Sequence, residues 1–257
     1  MRINQCWLAT PLKHSGKFVY FRGLHNLKKY NNPNKPAIFY GLYTYVDLMA
    51  LKKHKAFAIV AWGGSDVLRK ANVKLAVKNR VKHIAISSFI SADLTSMGIE
   101  HKTIPLIASP TKYFKPVPMG DEIYTYMPKS SRHFYGRRIV RQLKKLCKYK
   151  INIISSNQRH TRKKLFKIYS RCFCGLRLTP HDGVANTVIE LGLMGRKCIY
   201  NGDTPNAIPW SEDNIDGILE NIEKESEKIG TIDLSMRKLV RKYINVGNSF
   251  LFESYWK

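Results

Sequence analysis

The stretch GLRLTPHDGVANTVIELGLMGRKCIYNGD, residues 175–203, decides the fold of this chain. It predicts a short strand that ends at Thr179, a Pro-His-Asp-Gly turn, and a helix that begins near Gly183 and leads into a second strand, KCIYN. The small residues Gly183, Val184 and Ala185 leave the first-turn N–H groups of this helix open. A helix N-terminus of this kind attracts a diphosphate.

Two carboxylates accompany the predicted helix. Asp182 and Glu190 are eight positions apart, which is close to two helical turns, so we expect them to share one face. A carboxylate at Glu190 can accept hydrogen bonds from both hydroxyls of a ribose. In the alternative interpretation Asp182 is only an N-cap and Glu190 a solvated helix acid.

Short apolar runs alternate with amphipathic stretches from residue 36 onward. AIFY, AFAIVAW, EIYTYM and INIIS are typical of buried strands, and the longer segments between them of helices. This alternation predicts βαβ units and parallel sheets. The proline-rich segment TKYFKPVPMG interrupts it, so we predict two lobes, residues 1–115 and 116–257. Ligands bind beyond the carboxyl ends of parallel strands, which places the expected site in a cleft between the lobes.

Residues 175–203 resemble the second lobe of GT-B glycosyltransferases, especially retaining families with two acids separated by seven residues. The resemblance implies an α/β GT-B fold with two Rossmann-like lobes and a donor/acceptor cleft between them. It implies that the first acid, here Asp182, contacts the donor sugar and that the second, here Glu190, binds the ribose. Asp182 stands where those families have glutamate, while Gly192 and the Met-Gly-Arg run at 194–196 match their pattern.

The resemblance also implies a basic pair after the first strand of the second lobe, which neutralises the diphosphate without a metal ion or cofactor. The sequence there reads MPKSSRHFYG. The donor substrate that this resemblance implies is a nucleotide sugar, and we expect a UDP-sugar. The predicted donor-binding residues are Lys129, Arg132, Arg177, Gly183, Val184, Ala185, Asn186 and Glu190.

Three residues are candidates for catalysis. Asp66 follows the strand AFAIVAW in WGGSD, where it can orient an acceptor hydroxyl or act as a base, or simply cap a helix over residues 67–80. His181 is close in sequence to the predicted donor site, although a histidine beside a helix start is often only a hydrogen-bond partner. Asp182 completes the set.

The formal charge of +26 is distributed unevenly along the sequence. Residues 123–181 contain sixteen Lys and Arg and no acid, whereas many of the acids fall in residues 211–233. Such a surface favours a polyanionic partner, with nucleic acid first and an anionic membrane second. A basic face without any partner stays an alternative. The residues predicted to bind nucleic acid are Lys13, Lys17, Arg22, Arg137, Arg141 and Lys144.

These features together predict a glycosyltransferase that moves a sugar from UDP to a hydroxymethylated DNA base such as hydroxymethylcytosine, as virus-encoded DNA glycosyltransferases do. The base would have to flip out of the duplex. The alternatives are a peripheral-membrane enzyme that builds an envelope glycan and a non-enzymatic nucleic-acid-binding protein. The five cysteines form no paired framework, so we expect reduced thiols and a cytoplasmic protein. If the protein is viral, this is the cytoplasm of the host. We also expect a monomer.

Overall fold

A computed structural model describes residues 1–12, 16–77, 80–155 and 160–257, with the side chains of residues 16–19 left aside. The chain forms two compact units. The first contains residues 1–110, 181–184 and 244–257, and the second contains residues 111–180 and 185–243. The break at 110/111 is close to the predicted boundary, but residues 181–184 and 244–257 belong to the first unit.

The first unit contains a parallel sheet of six strands in the order β2-β1-β3-β4-β5-β6. The strands are β1 (Gln5–Leu8), β2 (Lys28–Lys29), β3 (Ala37–Tyr40), β4 (Ala58–Trp62), β5 (Val81–Ala85) and β6 (Lys102–Thr103). The helices are α1 (Gly16–Leu24), α2 (Tyr45–Lys53), α3 (Lys70–Ala76) and α4 (Ser88–Ser96). The strands β3 and β4 are buried along their whole length, as the apolar runs predict.

Three parts of the first unit differ from the sequence prediction. The strand β1 lies inside the sheet between β2 and β3, although the predicted alternation starts only at residue 36. The helix expected over 67–80 is shorter and begins at Lys70 with Arg69 as N-cap, so Asp66 does not cap it. The apolar run TIPLI, residues 103–107, also predicts a strand, but β6 ends at its first residue, Thr103.

The C-terminal segment completes the core of the first unit. The side chains of Phe250, Leu251 and Trp256 are buried among those of the sheet. The N–H of Ile3 donates to the carbonyl of Leu251 at 2.7 Å. These apolar contacts explain why residues 244–257 belong to the first unit rather than to the predicted second lobe.

The second unit contains a parallel sheet of five strands in the order β11-β10-β9-β7-β8. The strands are β7 (Glu122–Tyr126), β8 (Ile151–Ile154), β9 (Cys172–Leu176), β10 (Lys197–Ile199) and β11 (Ala207–Ile208). The helices are α5 (Arg137–Leu146), α6 (Arg162–Ser170), α7 (Asn186–Leu193), α8 (Ile215–Ser226) and α9 (Leu234–Ile244). The strand predicted to end at Thr179 therefore ends at Leu176, and Arg177 follows it.

A buried arginine fixes the segment that was predicted as a linker. The guanidinium of Arg196 is fully buried and donates to the carbonyls of Cys172 and Pro118, both at 3.0 Å. The ring of Phe114, in the same segment, is also fully buried. Residues 111–120 are therefore part of the second unit and not a free connection.

The five cysteines are free thiols, and four of them are buried. Burial raises the pKa of Cys172 and Cys198 to about 12, so both thiols stay protonated at neutral pH. Among the described residues, no helix combines the length and the apolar character that crossing a bilayer requires.

Candidate functional site

The carboxyl ends of β7, β8, β9 and β10 all lie at one edge of the second unit's sheet, because these strands are parallel. The donor-binding residues predicted in this unit follow β7 and β9 or begin α7. Ligands of open parallel sheets bind at this edge. We call it the donor edge.

The loop that follows β7 carries Lys129 and Arg132. Lys129 begins a short 3-10 turn and is exposed. At the start of α5, Gly136 has φ 70° and lies so close to the segment after β9 that a Cβ would meet Leu178 Cβ at 2.6 Å. A side chain at position 136 is excluded by both the backbone conformation and the space. The close approach brings the loop with its two cations against the residues that follow β9.

Arg177 follows β9 and is positioned by two aromatic rings. Its guanidinium carbon lies 4.6 Å from the ring centre of Tyr135 and 5.9 Å from that of Tyr126. Both distances are within cation–π range. The two tyrosines were not among the predicted residues, although Tyr135 stands in the quoted loop MPKSSRHFYG.

The helix α7 begins at Asn186, three residues later than predicted. Ala185 is its N-cap and no side chain caps it, so its first N–H groups are open, as the small residues predicted. Asp182 precedes the helix. The expectation that Asp182 and Glu190 share a helix face is therefore wrong, because residues 182–185 are not helical.

Glu190 is a buried member of an ion pair that the sequence did not indicate. Its side chain is 1% exposed, and Arg162 Nη1 lies 2.5 Å from Oε1. The hydroxyl of Tyr169 donates to Oε2 at 2.9 Å. Burial, followed by the charge of Glu190, raises the pKa of Tyr169 well above its ordinary value. Glu190 is thus not the solvated helix acid of the alternative interpretation.

Three polar side chains at the donor edge have buried atoms without a hydrogen-bond partner among the described residues. They are both ring nitrogens of His160, Oγ1 of Thr179 and Oδ1 of Asn186. Thr179 is fully buried. A buried polar atom without a partner typically costs about 1–3 kcal/mol, so such a group is exceptional and calls for a ligand or water.

In the first unit, Asp66 organises the loops that follow β3 and β4. Its fully buried carboxylate accepts hydrogen bonds from the N–H groups of Gly64 at 2.8 Å, and of Leu42 and Gly63 at 3.1 Å. Burial raises the pKa of Asp66, although these N–H groups act in the opposite direction. The carboxylate is directed at the backbone, which defines the shape of these loops.

The segment 181–184 lies against the same loops. A Cβ on Gly183 would come within 2.5 Å of the carbonyl oxygen of Gly63, so only glycine fits there. Ser87, the N-cap of α4, donates from its hydroxyl to the carbonyl of Asp182 at 3.0 Å. Tyr43 is hydrogen-bonded to Asp66, and burial together with the charges of Asp66 and Asp182 raises its pKa. The structure therefore brings together the three predicted catalytic residues or their backbone.

His181 is paired with an aspartate that the sequence analysis missed. Its Nε2 lies 2.7 Å from Asp93 Oδ2, and its ring centre lies 5.8 Å from that of Phe89 on α4. A carboxylate in this position fixes the orientation of an imidazole ring. Asp93 is 88 positions away in sequence, so no local pattern could indicate the pair.

Of the predicted nucleic-acid-binding residues, Arg141 and Lys144 are exposed on α5, and Arg137 is partly exposed. Arg22 is half-buried on α1. Lys13 and the side chain of Lys17 lie outside the described residues.

The acidic helix α8 neutralises part of the charge of the basic stretch. Glu212, just before it, pairs with Arg138 at 2.9 Å, and Glu223 pairs with Lys148 at 3.0 Å. Lys148 lies beyond the end of α5, and Leu146, the last residue of this helix, is 62% exposed. Within the described parts of the chain, no three His, Cys, Asp or Glu side chains are grouped to hold a metal ion.

No protein-family model matches the chain. No curated protein matches its sequence either. The structure is similar to the sucrose-phosphate synthase of Thermosynechococcus elongatus, with a TM-score of 0.58 and 12% identity over 90% of this chain and 75% of that one. It is also similar to TarM, with a TM-score of 0.60 and 13% identity over 93% of this chain and 57% of that one.

A TarM variant from S. aureus, in complex with Fondaparinux, alpha-GlcNAc-glycerol and UDP, gives a TM-score of 0.57 at 14% identity over 93% of this chain and 56% of that one. The chain thus spans a little more than half the length of the TarM structures. At these identities the likeness concerns the fold alone. The fold is that of the GT-B glycosyltransferases, with two Rossmann-like units, and the prediction of the fold class is confirmed.

Proposed function

We propose that the chain is a glycosyltransferase that uses a UDP-sugar, with the nucleotide bound at the donor edge of the second unit. The observation that carries this proposal is the set of buried, unpartnered atoms of His160, Thr179 and Asn186 at that edge. A polar ligand would satisfy these atoms. The TarM structure with bound UDP shares the fold.

Cationic side chains are proposed to bind the diphosphate. Lys129, Arg132 and Arg177 follow β7 and β9 at the donor edge, and the uncapped N-terminus of α7 adds the N–H groups of its first turn. Together they would stabilise the negative charge that develops on the leaving UDP, which makes a metal ion unnecessary. Gly183, Val184 and Ala185 would approach the donor through their backbone.

Glu190 is proposed to bind the ribose. Arg162 and Tyr169 fix the orientation of its carboxylate. A carboxylate can accept hydrogen bonds from both hydroxyls of a ribose. The ion pair with Arg162 would then orient the carboxylate oxygens of Glu190 toward the ribose hydroxyls rather than compete with the nucleotide.

In the transfer step, the bond between the anomeric carbon and the UDP oxygen breaks, and the acceptor hydroxyl oxygen bonds to that carbon. Asp182 is proposed to stabilise the positive charge on the sugar ring. His181, oriented by Asp93, would take the hydroxyl proton. Asp66 would act by positioning Gly63 and Gly64. The resemblance to families with two acids implies retention of configuration.

Calorimetric titration with UDP tests the donor site. Lys129→Ala and Arg132→Ala should each weaken UDP binding at least about tenfold, because a charge-assisted hydrogen bond is lost. Lys145→Ala, a change of an exposed lysine on α5, is the matched control and should leave the affinity unchanged. Equal losses in all three variants would indicate a general charge effect. Binding that EDTA abolishes and manganese restores would contradict the metal-free assignment.

For the acceptor we propose a hydroxymethylated base in DNA. Support comes from Arg137, Arg141 and Lys144, which lie at positions i, i+4 and i+7 of α5 and so share one face. No described acidic residue forms an ion pair with Arg141 or Lys144. Phosphates could therefore bind there without displacing an internal partner.

The salt dependence of duplex binding tests this acceptor. Each neutralised phosphate contributes about −0.9 to the slope of log K against log salt, so a slope of about −4 is expected. Reversing the charge of Arg137, Arg141 and Lys144 together should flatten the slope and leave UDP affinity unchanged. UDP-sugars and hydroxymethyl-containing DNA, followed by mass analysis of the nucleosides, test the transfer directly.

An envelope glycan is the second candidate acceptor, because the TarM variant that shares the fold was captured with alpha-GlcNAc-glycerol. Transfer to a glycan on anionic vesicles, with no competition by DNA, would favour it. DNA binding without any transfer or UDP binding would favour the non-enzymatic alternative.

A further inference from the structure

A cavity lies in the first unit, away from the loops that carry Asp66 and Ser87. It has a volume of about 310 Å³ and lies where β4 and β5 begin. Asp66 and Ser87 follow the opposite, carboxyl ends of these strands. The residues that line the cavity include Lys55, Phe57, Arg80, Lys82, Trp256 and Lys257. None of them was singled out from the sequence.

The walls of the cavity are fixed by hydrogen bonds to the backbone. Trp256 is 8% exposed, and its indole N–H donates to the carbonyl of Phe250 at 2.9 Å. Arg80 Nη2 donates to the carbonyl of His54 at 2.5 Å. Lys102 Nζ donates to the carbonyl of Tyr255 at 2.6 Å and lies 3.9 Å from the centre of its ring. These bonds hold an arginine and an indole in place before any ligand binds.

The lining combines an excess of positive charge with an aromatic surface. The lining contains four cationic side chains, those of Lys55, Arg80, Lys82 and Lys257, and one carboxylate, that of Glu253. Arginine and lysine together favour a phosphate group over an uncharged ligand. Both are cations, and arginine can donate two parallel hydrogen bonds to one phosphate. Phe57 and Trp256 contribute an apolar surface on which a ring can pack.

We propose that this cavity binds a small phosphorylated ring compound, such as a sugar phosphate, with the phosphate on the cations and the ring against the aromatic residues. Its volume lies at the lower end of the range of small-molecule sites, about 300–1,000 Å³, and exceeds what a bare phosphate fills. Trp256 is recessed, whereas the aromatic residues that stack on the bases of a long strand are exposed. A small ligand therefore fits better than a nucleic acid chain.

Calorimetry with glucose 6-phosphate, inorganic phosphate and glucose tests the proposal on the full chain. Glucose 6-phosphate should bind with a Kd below about 1 mM and more tightly than inorganic phosphate, while glucose should not bind measurably. The double variant Arg80→Glu, Lys82→Glu should lose at least about tenfold in affinity. Lys29→Glu is the matched control and should bind glucose 6-phosphate as the wild type does. Lys29 is exposed on β2, and the strands β1 and β3 separate it from β4.

Titration of the same variants with UDP distinguishes this site from the donor edge. The double variant should bind UDP as the wild type does, which also shows that it is folded. Equal affinity for inorganic phosphate and glucose 6-phosphate, or no binding of either, would overturn the proposal. So would loss of glucose 6-phosphate binding in Lys129→Ala with retention in the double variant. Binding of the wild type, but not of the double variant, to vesicles containing phosphatidylinositol phosphate, with no binding of glucose 6-phosphate, would assign the cavity to a lipid headgroup instead.

Discussion

The two units satisfy their buried carboxylates in different ways. In the first unit, Asp47 and Asp66 are fully buried and accept hydrogen bonds mainly from backbone N–H groups and hydroxyls. In the second unit, Glu190 and Glu122 each accept a hydrogen bond from a cationic side chain, Arg162 for the former and Lys150 for the latter, as well as from a neutral donor. The acids of the first unit thus shape loops, whereas those of the second hold separate elements together.

The difference follows from where the charges lie in the sequence. Residues 123–181 contain sixteen Lys and Arg without an acid, so carboxylates from outside that stretch are used to pair with some of them. The pKa values reflect the two environments. Burial raises the pKa of Asp66, whereas for Glu122 burial is outweighed by the hydrogen bonds from Lys150 and Asn152, and the pKa is lowered. Stability should therefore depend on different groups in each unit.

The largest effect is expected at the ion pair of the second unit. Arg162→Ala would remove a cationic partner of the buried Glu190 carboxylate, which should lower the free energy of unfolding by about 3 kcal/mol. Urea unfolding measures the loss, and hydrogen exchange shows whether it is confined to the second unit. Lys163→Ala, at the exposed next position, should cost little.

A double variant decides whether the loss comes from the charge of Glu190 that Arg162 no longer neutralises. Arg162→Met combined with Glu190→Gln removes both charges and should recover part of the stability. If the double variant loses as much stability as the two single variants together, this view is contradicted and the effect of Arg162 is due to packing.

A smaller loss is expected at Asp47. Its carboxylate accepts hydrogen bonds from the N–H of Thr44 at 2.8 Å, the N–H of Thr10 at 3.0 Å and the indole of Trp7 at 3.1 Å, among others. Asp47→Asn would turn an amide donor toward some of these donors and should cost about 2 kcal/mol. Glu100→Gln, at an exposed acid in the same unit, is the control for urea unfolding. Equal stabilities of the two variants would contradict a structural role of Asp47.

The sequence predicted what depends on local patterns. The apolar runs at 37–40, 58–62 and 122–126 form strands because continuous burial selects such residues, and the small residues before Asn186 do leave α7 uncapped. It did not predict β1, where the amide of Gln5 donates to the carbonyls of Asn32 and Lys35 at 2.6 and 2.8 Å. A polar residue there obscures an apolar pattern, and its partners are about thirty positions away.

The candidate site shows the same limit. Glu190 was identified as special from its spacing, but the spacing argument assumed a helix that starts too early. Its partners Arg162 and Tyr169 are 28 and 21 positions away, and the partner of His181 is 88 positions away. Such pairs are set by how helices pack on a sheet, so a single sequence does not contain a local signal for them.

A pH-dependent effect of about 1 kcal/mol is expected for Glu122→Gln. The folded-state pKa of Glu122 is lowered, so its contribution is fully present above the ordinary value of 4.5 and is lost as the pH falls through the lowered pKa. The difference in unfolding free energy between wild type and variant should therefore be largest near neutral pH and shrink on acidification. Glu220→Gln, at an exposed acid on α8, is the control. A difference that grows on acidification would contradict the sign of the shift.

The smallest effect is expected at an ion pair whose atoms are almost as close as those of Arg162 and Glu190. Arg138 Nη2 lies 2.9 Å from Glu212 Oε1, but the two side chains are 70% and 58% exposed. Water screens such a pair, and ordering two long side chains opposes it, so Arg138→Ala should change the free energy of unfolding by less than about 0.5 kcal/mol. A double-mutant cycle with Glu212→Ala measures the coupling, which should vanish at about 1 M salt. A coupling as large as that of Arg162 with Glu190 would mean that proximity, and not burial, determines which carboxylates hold the second unit together.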